Sequence, residues 1–595
     1  MNDTGQSARR ILTGVAYGAA VVAPLLLLLD LSASFLRDWP LHVWAIDYYA
    51  AYFRAHGDLP GVINLPSAVG VALPVFYAWL LYPLLGILSA VAGTALALRL
   101  ALLGLVAVQF YALISAGRKI LGHRGYAYTV AVSVIWATYS LTNLYNRGAL
   151  AEYFGTGFYA TALAFAASAA ATDPGASRRF HGWLAGVFLL LAIGAHPPTA
   201  ALAAGFTVLL GAGLIAGWRH WSLKLAGGDR AVLAGGVLAG AIILAPWIYA
   251  NVVLGGQLSI THAAGGFQFR PDQCDSFWGR FAPFPYDGTA VENGIYTLGT
   301  PYLEAPINIV LLGLLLWNLE LGRRLYRRPG AGGSIISDSP VREVLIVGIG
   351  WFVFLTVLSL SPWLAGRCGA FAPYIQYVYR LVSHANAALL IAVFASGAAV
   401  ARHGGYRQFQ HQTEVVLAVG LTVAVLGLGI KLQHAAVAAV PDAGPPPSLV
   451  AGQREIAQAY DTPGRVRNLR DEEARTAVPV AFPVSRSGTD FGDAGALRIE
   501  RAQAGWVKTN AVVFPWLRVE SDGQAVSADQ QAQTGHFLAV HLPAGIHELR
   551  AVWQPDRAWA VLNRLSQAVF ALVLLVTVAW AAVRVWPRRG GVTPT

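Results

Sequence analysis

The chain has 595 residues, 56% of them hydrophobic and only 12% charged, with a formal net charge of +11 and a mean hydropathy of +0.52. Soluble proteins carry about 25% charged residues. The charges here are too few to cover a soluble surface, and disordered, fibrous and disulfide-scaffold classes are excluded on the same figures.

A membrane-crossing helix takes about 20 mostly apolar residues, and the chain reads as an α-helical polytopic membrane protein with about twelve such helices. The first, near 11–30, follows Arg9 and Arg10. Its length, with no small-residue cleavage site behind it, predicts a retained anchor rather than a signal peptide. Residues 31–93 come next on the outer side, opening with Arg37-Asp38-Trp39-Pro40-Leu41-His42-Val43-Trp44. Within them, the apolar stretch 68–90 holds Pro74, Pro83 and several aromatics, and it predicts a helix lying in the outer interface. Spans follow near 94–116, 126–144, 155–172, 183–196 and 199–217; the outer turns between them carry Asn143 to Phe154, and Ala195-His196-Pro197-Pro198-Thr199.

A span near 231–250 leads into an outer loop, 251–305, with His262, Arg270, Asp272, Asp275 and Arg280 among many aromatics. Spans near 306–320, 343–362, 384–401 and 414–433 complete a helical domain, 1–433, and Tyr374 to Arg380 lie just before the third of these four. Residues 434–558 open on a Pro-rich linker and then alternate in period two. Ala511–Glu520, Phe537–Leu542 and His547–Trp553, separated by Ser521-Asp522-Gly523 and Pro543-Ala544-Gly545, predict a small periplasmic β-sandwich. A last span near 560–583 and a short tail make up 559–595.

With this alternation the segments 1–10, 117–125, 173–182, 218–230, 321–342, 402–413 and 584–595 face the cytoplasm. They hold 20 Arg and Lys in 88 residues, against seven in the 152 residues of the short outer segments. Basic residues concentrate on the cytoplasmic side of membrane proteins. The expected location is therefore a bacterial inner membrane, with both termini cytoplasmic and 434–558 periplasmic. The positive charge orients the chain, and a nucleic-acid partner is excluded. Cys274 and Cys368 both fall on the outer side, where an oxidising compartment permits a disulfide; two unrelated free thiols are the alternative.

None of Lys119, Lys224, Lys431 and Lys508 stands in a phosphate-loop context, and no HExxH or CxxC is present. Arg99 is the one clear charge inside a predicted span. Ion-coupled transporters keep ionisable groups at mid-membrane, so a pump or symporter is disfavoured.

Asp38, with His42 one helical turn on, is followed along the chain by Arg147-Gly148-Ala149-Leu150-Ala151-Glu152, by His196 at the next outer turn, and by Ile375-Gln376 with Arg380. Together with Ala72-Leu73-Pro74-Val75-Phe76-Tyr77, Phe514-Pro515-Trp516-Leu517-Arg518-Val519 and Leu542-Pro543-Ala544-Gly545-Ile546-His547, these resemble the bacterial multi-pass proteins labelled 6-pyruvoyl-tetrahydropterin synthase-related, close to the YfhO-like proteins. The resemblance covers nearly the whole chain in order. It implies a GT-C-like glycosyltransferase fold that moves a sugar from a polyprenyl-phosphate donor to a lipid, glycan or protein acceptor of the cell envelope. The chain departs from the family at Val71 to Val75 and at Val378-Tyr379-Arg380, where a Pro is lost.

Such a transfer needs a carboxylate to take the acceptor's proton, cations for the departing phosphate, and apolar surface for the prenyl chain. Asp38 is the candidate base and His42 shares its face; the alternative is that Asp38 N-caps the helix behind it. Arg147 is a candidate for gripping phosphate and Glu152 for positioning the acceptor or a metal, or the two form a structural ion pair. His196 is a candidate ligand or satisfies a helix end, and Arg380 is a second phosphate candidate or an interfacial anchor. Trp39, Trp44, Trp278 and Tyr286 stack sugar or belong to an aromatic belt. The residues name no definite cofactor, and a divalent metal ion stays open. A lipid-linked glycan flippase and a non-enzymatic envelope assembly factor are the alternative functions.

Overall fold

The computed structural model describes residues 3–33, 35, 38–216, 227–259, 307–327, 341–361, 363–364, 380–438, 458, 461–462, 464–484 and 494–585. The chain is mostly helical. In order come α1 (Asp3–Val22), prolonged by a 3-10 stretch (Ala23–Leu29), α2 (Trp39–His56), α3 (Leu81–Ala92), α4 (Thr94–Leu121), α5 (Arg124–Ile135), α6 (Leu150–Ala170), α7 (Ala176–Ala195) and α8 (Pro197–Ala216). After these lie α9 (Gly227–Leu254), α10 (Ile309–Tyr326), α11 (Arg342–Leu360), α12 (Leu381–Arg402), α13 (Gln410–Ala438) and α14 (Arg557–Val585).

Each of the twelve apolar stretches is helical over most of its described length. Seven helices are long and apolar enough to cross a membrane, lying within Ile11–Leu29, Thr94–Leu121, Gly227–Gln257, Arg342–Ser359, Leu381–Arg402, Gln410–Gln433 and Arg557–Arg584 among the described residues. Their exposed surfaces are apolar, as at Leu233, Val237, Val561 and Leu575, which suits a lipid surround. In α12, 83% of the apolar window is buried, which makes it the central post; α4, α6, α8, α10 and α11 pack around it. A polar cluster fixes three helices and the turn that bears Tyr406. The hydroxyls of Tyr126 and Tyr406 both donate to Asn318 Oδ1, at 2.9 and 2.7 Å, and Asn318 Nδ2 donates to Val393 O at 3.2 Å.

The expected span 126–144 is not one helix. It stops at Ile135, resumes over Thr138–Leu141 and closes in a π-turn, Thr142–Asn146. Arg99 has a structural task. Its guanidinium donates to the carbonyls of Leu28, Asp30 and Ala33 at 3.0, 2.9 and 3.1 Å, meeting acceptors left open where the first span ends. Lys431, inside the span expected at 414–433, is a second intramembrane cation, and it is buried.

The tail carries β-strands in two sheets, in agreement with an expected β-rich region near the C-terminus. One is β4 (Leu497–Arg501), β10 (Gly545–Trp553), β6 (Leu517–Ser521) and β7 (Gln524–Ala525), in that spatial order. Asp522 and Gly523, at φ 53° and 79°, form the β6–β7 turn, as the Asp-Gly pair predicts. The stretch expected as one strand, 511–520, is divided between β5 (Gly505–Val512) and β6, which lie in different sheets.

The second sheet corrects two expectations. It contains β8 (Gln531–Thr534), β9 (Phe537–Leu542), β5 and β3 (Val478–Pro479), and it also takes in β1 (Ile63–Leu65) and β2 (Ala68–Val71) from the N-terminal half. β2 runs parallel to β5, with Val69 opposite Ala511, and Asn510 Nδ2 donates to Pro66 O at 3.1 Å. Residues 68–90 are therefore not an interfacial helix. They comprise this strand, a helical turn at Leu73–Phe76, and most of α3. Nor is the tail domain confined to 434–558: α13 runs on to Ala438, and the 63–71 hairpin completes the sheet.

Gly70 makes the insertion possible. It lies at φ 85°, and a side chain there has no room beside Leu517. Gly70→Val is expected to cost about 2–4 kcal/mol, from left-handed backbone strain plus overpacking. Limited proteolysis of the hairpin during thermal denaturation checks this.

Candidate functional site

Four parts of the chain meet at the candidate site. The first is built by the π-turn at Thr142–Asn146, a distortion that is often found at functional sites. Arg147 N donates to Thr142 O at 2.9 Å, and Gly148, at φ 62°, reverses the chain into α6. That reversal brings Asn143, Arg147 and Glu152 together although they span nine residues. Arg147 Nη1 donates to Asn143 Oδ1 and, at 2.9 Å, to Glu152 Oε2; Asn143 Nδ2 donates to Glu152 Oε1 at 3.2 Å.

The second contribution arrives from far along the chain. Arg380, at the head of α12, donates from Nε to the same Glu152 Oε2 at 3.2 Å. The side chains of Arg147, Glu152 and Arg380 are only 5%, 2% and 11% exposed. A buried carboxylate thus holds two guanidinium groups side by side.

The third is the segment 38–82. Asp38 N donates to Arg147 O at 3.1 Å, which ties the two turns together. Asp38 occupies the N-cap position of α2, but its side chain makes no capping hydrogen bond, and it is exposed. The capping alternative therefore does not account for the carboxylate. His42, one turn on, is buried; its Nδ1 lies 2.6 Å from the Tyr82 hydroxyl. Burial lowers its pKa to about 4, with Asp38 opposing the shift and Arg147 reinforcing it. His42 is neutral at ordinary pH.

Tyr77 stands at the centre. Its ring is 6.4 Å from that of His42 and 6.0 Å from that of His196. Burial pushes its hydroxyl above the ordinary tyrosine value, and Arg380, Asp38, Glu152 and Arg147 are its charged neighbours. The turn after it passes through Ala78 at φ 49°, a left-handed conformation that costs a side-chain-bearing residue about 1–2 kcal/mol. Leu80 N then donates to Gly194 O at 3.1 Å, where a side chain on Gly194 has no space beside Leu80. This wedges the Tyr77 turn against the α7–α8 corner, and so against His196. There His196 is 1% exposed, with Nδ1 2.9 Å from Thr199 Oγ1, and it has Arg380, Glu152, Arg147 and His384 as titratable neighbours.

All six residues singled out from the sequence (Asp38, His42, Arg147, Glu152, His196 and Arg380) thus surround one place. Tyr77, Asn143, Tyr82 and His384 join them. His384 is one helical turn beyond Arg380 and buried; that spacing was the available signal. Cys274, Cys368, Asp272, Asp275, Trp278 and Tyr286 lie outside the described residues.

No group of three or more His, Cys, Asp or Glu is placed to hold a metal ion among the described residues. Glu152 does not suit one. Its Oε1 accepts from Asn143 and its Oε2 from two guanidinium groups, so a divalent cation there must displace an arginine. No family model matches the chain, and no curated protein and no solved structure matches it.

Proposed function

We propose that this chain is a membrane glycosyltransferase of a bacterial inner membrane, with about twelve spans in a GT-C-like arrangement, cytoplasmic termini and a periplasmic tail domain. Its donor is a polyprenyl-phosphate-linked sugar, and its acceptor is a lipid, glycan or protein of the envelope. The observation that carries the reading is a buried Arg147 and a part-buried Arg380, held side by side by one carboxylate, beside an exposed and uncapped Asp38.

A phosphate diester or monoester fits a paired guanidinium surface, which offers bidentate, charge-assisted hydrogen bonds. Arg147 and Arg380 hold the donor phosphate and stabilise the charge that grows on it as it leaves. Asp38 accepts the proton of the acceptor hydroxyl. That oxygen bonds to the anomeric carbon while the bond from that carbon to the phosphate oxygen breaks, releasing the polyprenyl phosphate. Glu152 acts on the two arginines rather than on substrate, which makes it a positioning residue. Tyr77, His42 and His196 supply flat surfaces and neutral polar atoms for the sugar.

Asp38→Asn tests this reading, because the side chain stands apart from the buried ion pairs and the variant should fold normally. Transfer of labelled sugar from a polyprenyl-phosphate donor is expected to fall by about 10²–10⁴-fold. Full activity in Asp38→Asn overturns the assignment. Movement of labelled lipid across liposomes with no covalent product would instead favour a flippase.

A further inference from the structure

α7, whose far end carries the Gly194–His196 corner of the site, and α9 run side by side in the same direction, in contact in places but open along their glycines. Gly182 and Gly186 on α7 and Gly236 and Gly240 on α9 repeat at a spacing of four. Small residues at this spacing normally let two helix backbones touch. Here a Cβ at any of the four meets nothing within 4 Å, and the space they leave is a groove of about 420 Å³, backed by Val573 of α14. It follows the helices from Arg178 to Ile193 and from Asp229 to Leu244, about 22 Å at 1.5 Å per residue, with apolar walls along its length.

Among the described lining residues, the charged ones all lie at the end where both helices start. Asp229 is 8% exposed, and neither carboxylate oxygen has a hydrogen-bond partner among the described residues. Arg178 forms a loose ion pair with it, Nε lying 3.9 Å from Oδ2, beyond hydrogen-bond distance. A buried carboxylate left without donors is costly, and this one lines the groove. Arg179 lies against Gly228, so closely that a side chain there would collide with its guanidinium, which places that guanidinium at the same end.

We propose that this groove binds one phospholipid whose headgroup carries a primary ammonium, that is, of phosphatidylethanolamine chemistry. The acyl chain lies along the glycines, the phosphate on Arg179, and the ammonium on Asp229. A headgroup of both signs matches an end that offers both signs. A primary ammonium brings N–H donors to a carboxylate that has no hydrogen-bond donor among the described residues; a quaternary ammonium brings none.

Native mass spectrometry of the full-length protein, exchanged into micelles with equal mole fractions of phosphatidylethanolamine, phosphatidylcholine and phosphatidylglycerol, tests this. The wild type should retain one phosphatidylethanolamine with a preference of about tenfold or more, a difference of about 1.4 kcal/mol. Asp229→Asn should lose the preference. Gly236→Leu, which fills the groove where nothing opposes it, should lose the lipid while keeping the wild-type melting temperature. Equal retention of the three lipids by the wild type, no retained lipid, or an undiminished preference in Asp229→Asn overturns the proposal. The wild-type headgroup preference decides the matter even where a variant fails to fold.

Discussion

Glu152→Ala is expected to destabilise the folded chain by about 3–5 kcal/mol, the range seen when one partner of a buried ion pair is removed. The cost does not come chiefly from losing attraction. Arg147 and Arg380 donate to one oxygen of Glu152, so its removal leaves a buried and a part-buried cation facing each other. Asn143 also loses the acceptor of its amide. Denaturant titration in detergent measures the effect, and Asp38→Asn, at an exposed position, should stay within about 0.5 kcal/mol of wild type. A variant in which Glu152, Arg147 and Arg380 are all replaced by apolar residues of similar size should recover most of the stability, because the desolvation cost of all three charges disappears together. It should recover none of the transfer activity. Recovery of both would mean that the arginines do not touch substrate.

His42 should make the protein acid-sensitive in a defined window. Its folded pKa is about 4 against an ordinary value near 6.5. Between these values the unfolded chain binds the proton and the folded chain does not. Stability is therefore full above about pH 6.5, falls as the pH drops toward 4, and levels off below that, with a total loss of about 3 kcal/mol. Thermal inactivation midpoints for wild type and His42→Gln between about pH 4 and 7 isolate this contribution, since every other titrating group is common to both. The difference between the two curves should narrow or reverse on acidification; parallel curves would exclude His42 as the source.

The apolar stretches are legible as helices because each is long and nearly uncharged, and charge placement alone supplies an orientation. The candidate site is legible because so few charges remain on the outer turns. Arg147 and Glu152 are five residues apart, a spacing that suggests a pair, and Asp38 and His42 share a helical face. That Arg380 completes the pair with Glu152 cannot be read from spacing, since 228 residues separate them. The β2 strand escapes the sequence for a different reason. Residues 68–71 are buried on both faces, and a short, uniformly apolar run carries no periodicity with which to tell strand from helix. The break after Ile135 has no Pro or Gly to mark it; Asn308 Nδ2, from far along the chain, donates to Ser133 O at 2.7 Å and takes the carbonyl that Ala137 N would use to continue the helix.

The inserted hairpin also imposes an order on biosynthesis. Pro66 emerges from the ribosome 444 residues before Asn510, the residue that hydrogen-bonds to it. Until then the edge of β2 that will meet β5 lacks that partner strand, and exposed edges of this kind recruit other strands. The Tyr77 turn follows closely after Val71, so the cluster of Tyr77 with His42 and His196 is held in place only when β5 has been made. On the proposed function, a chain truncated before β5 has its arginines and Asp38 but not the strand that fixes the turn between them, and it stays inactive while synthesis continues.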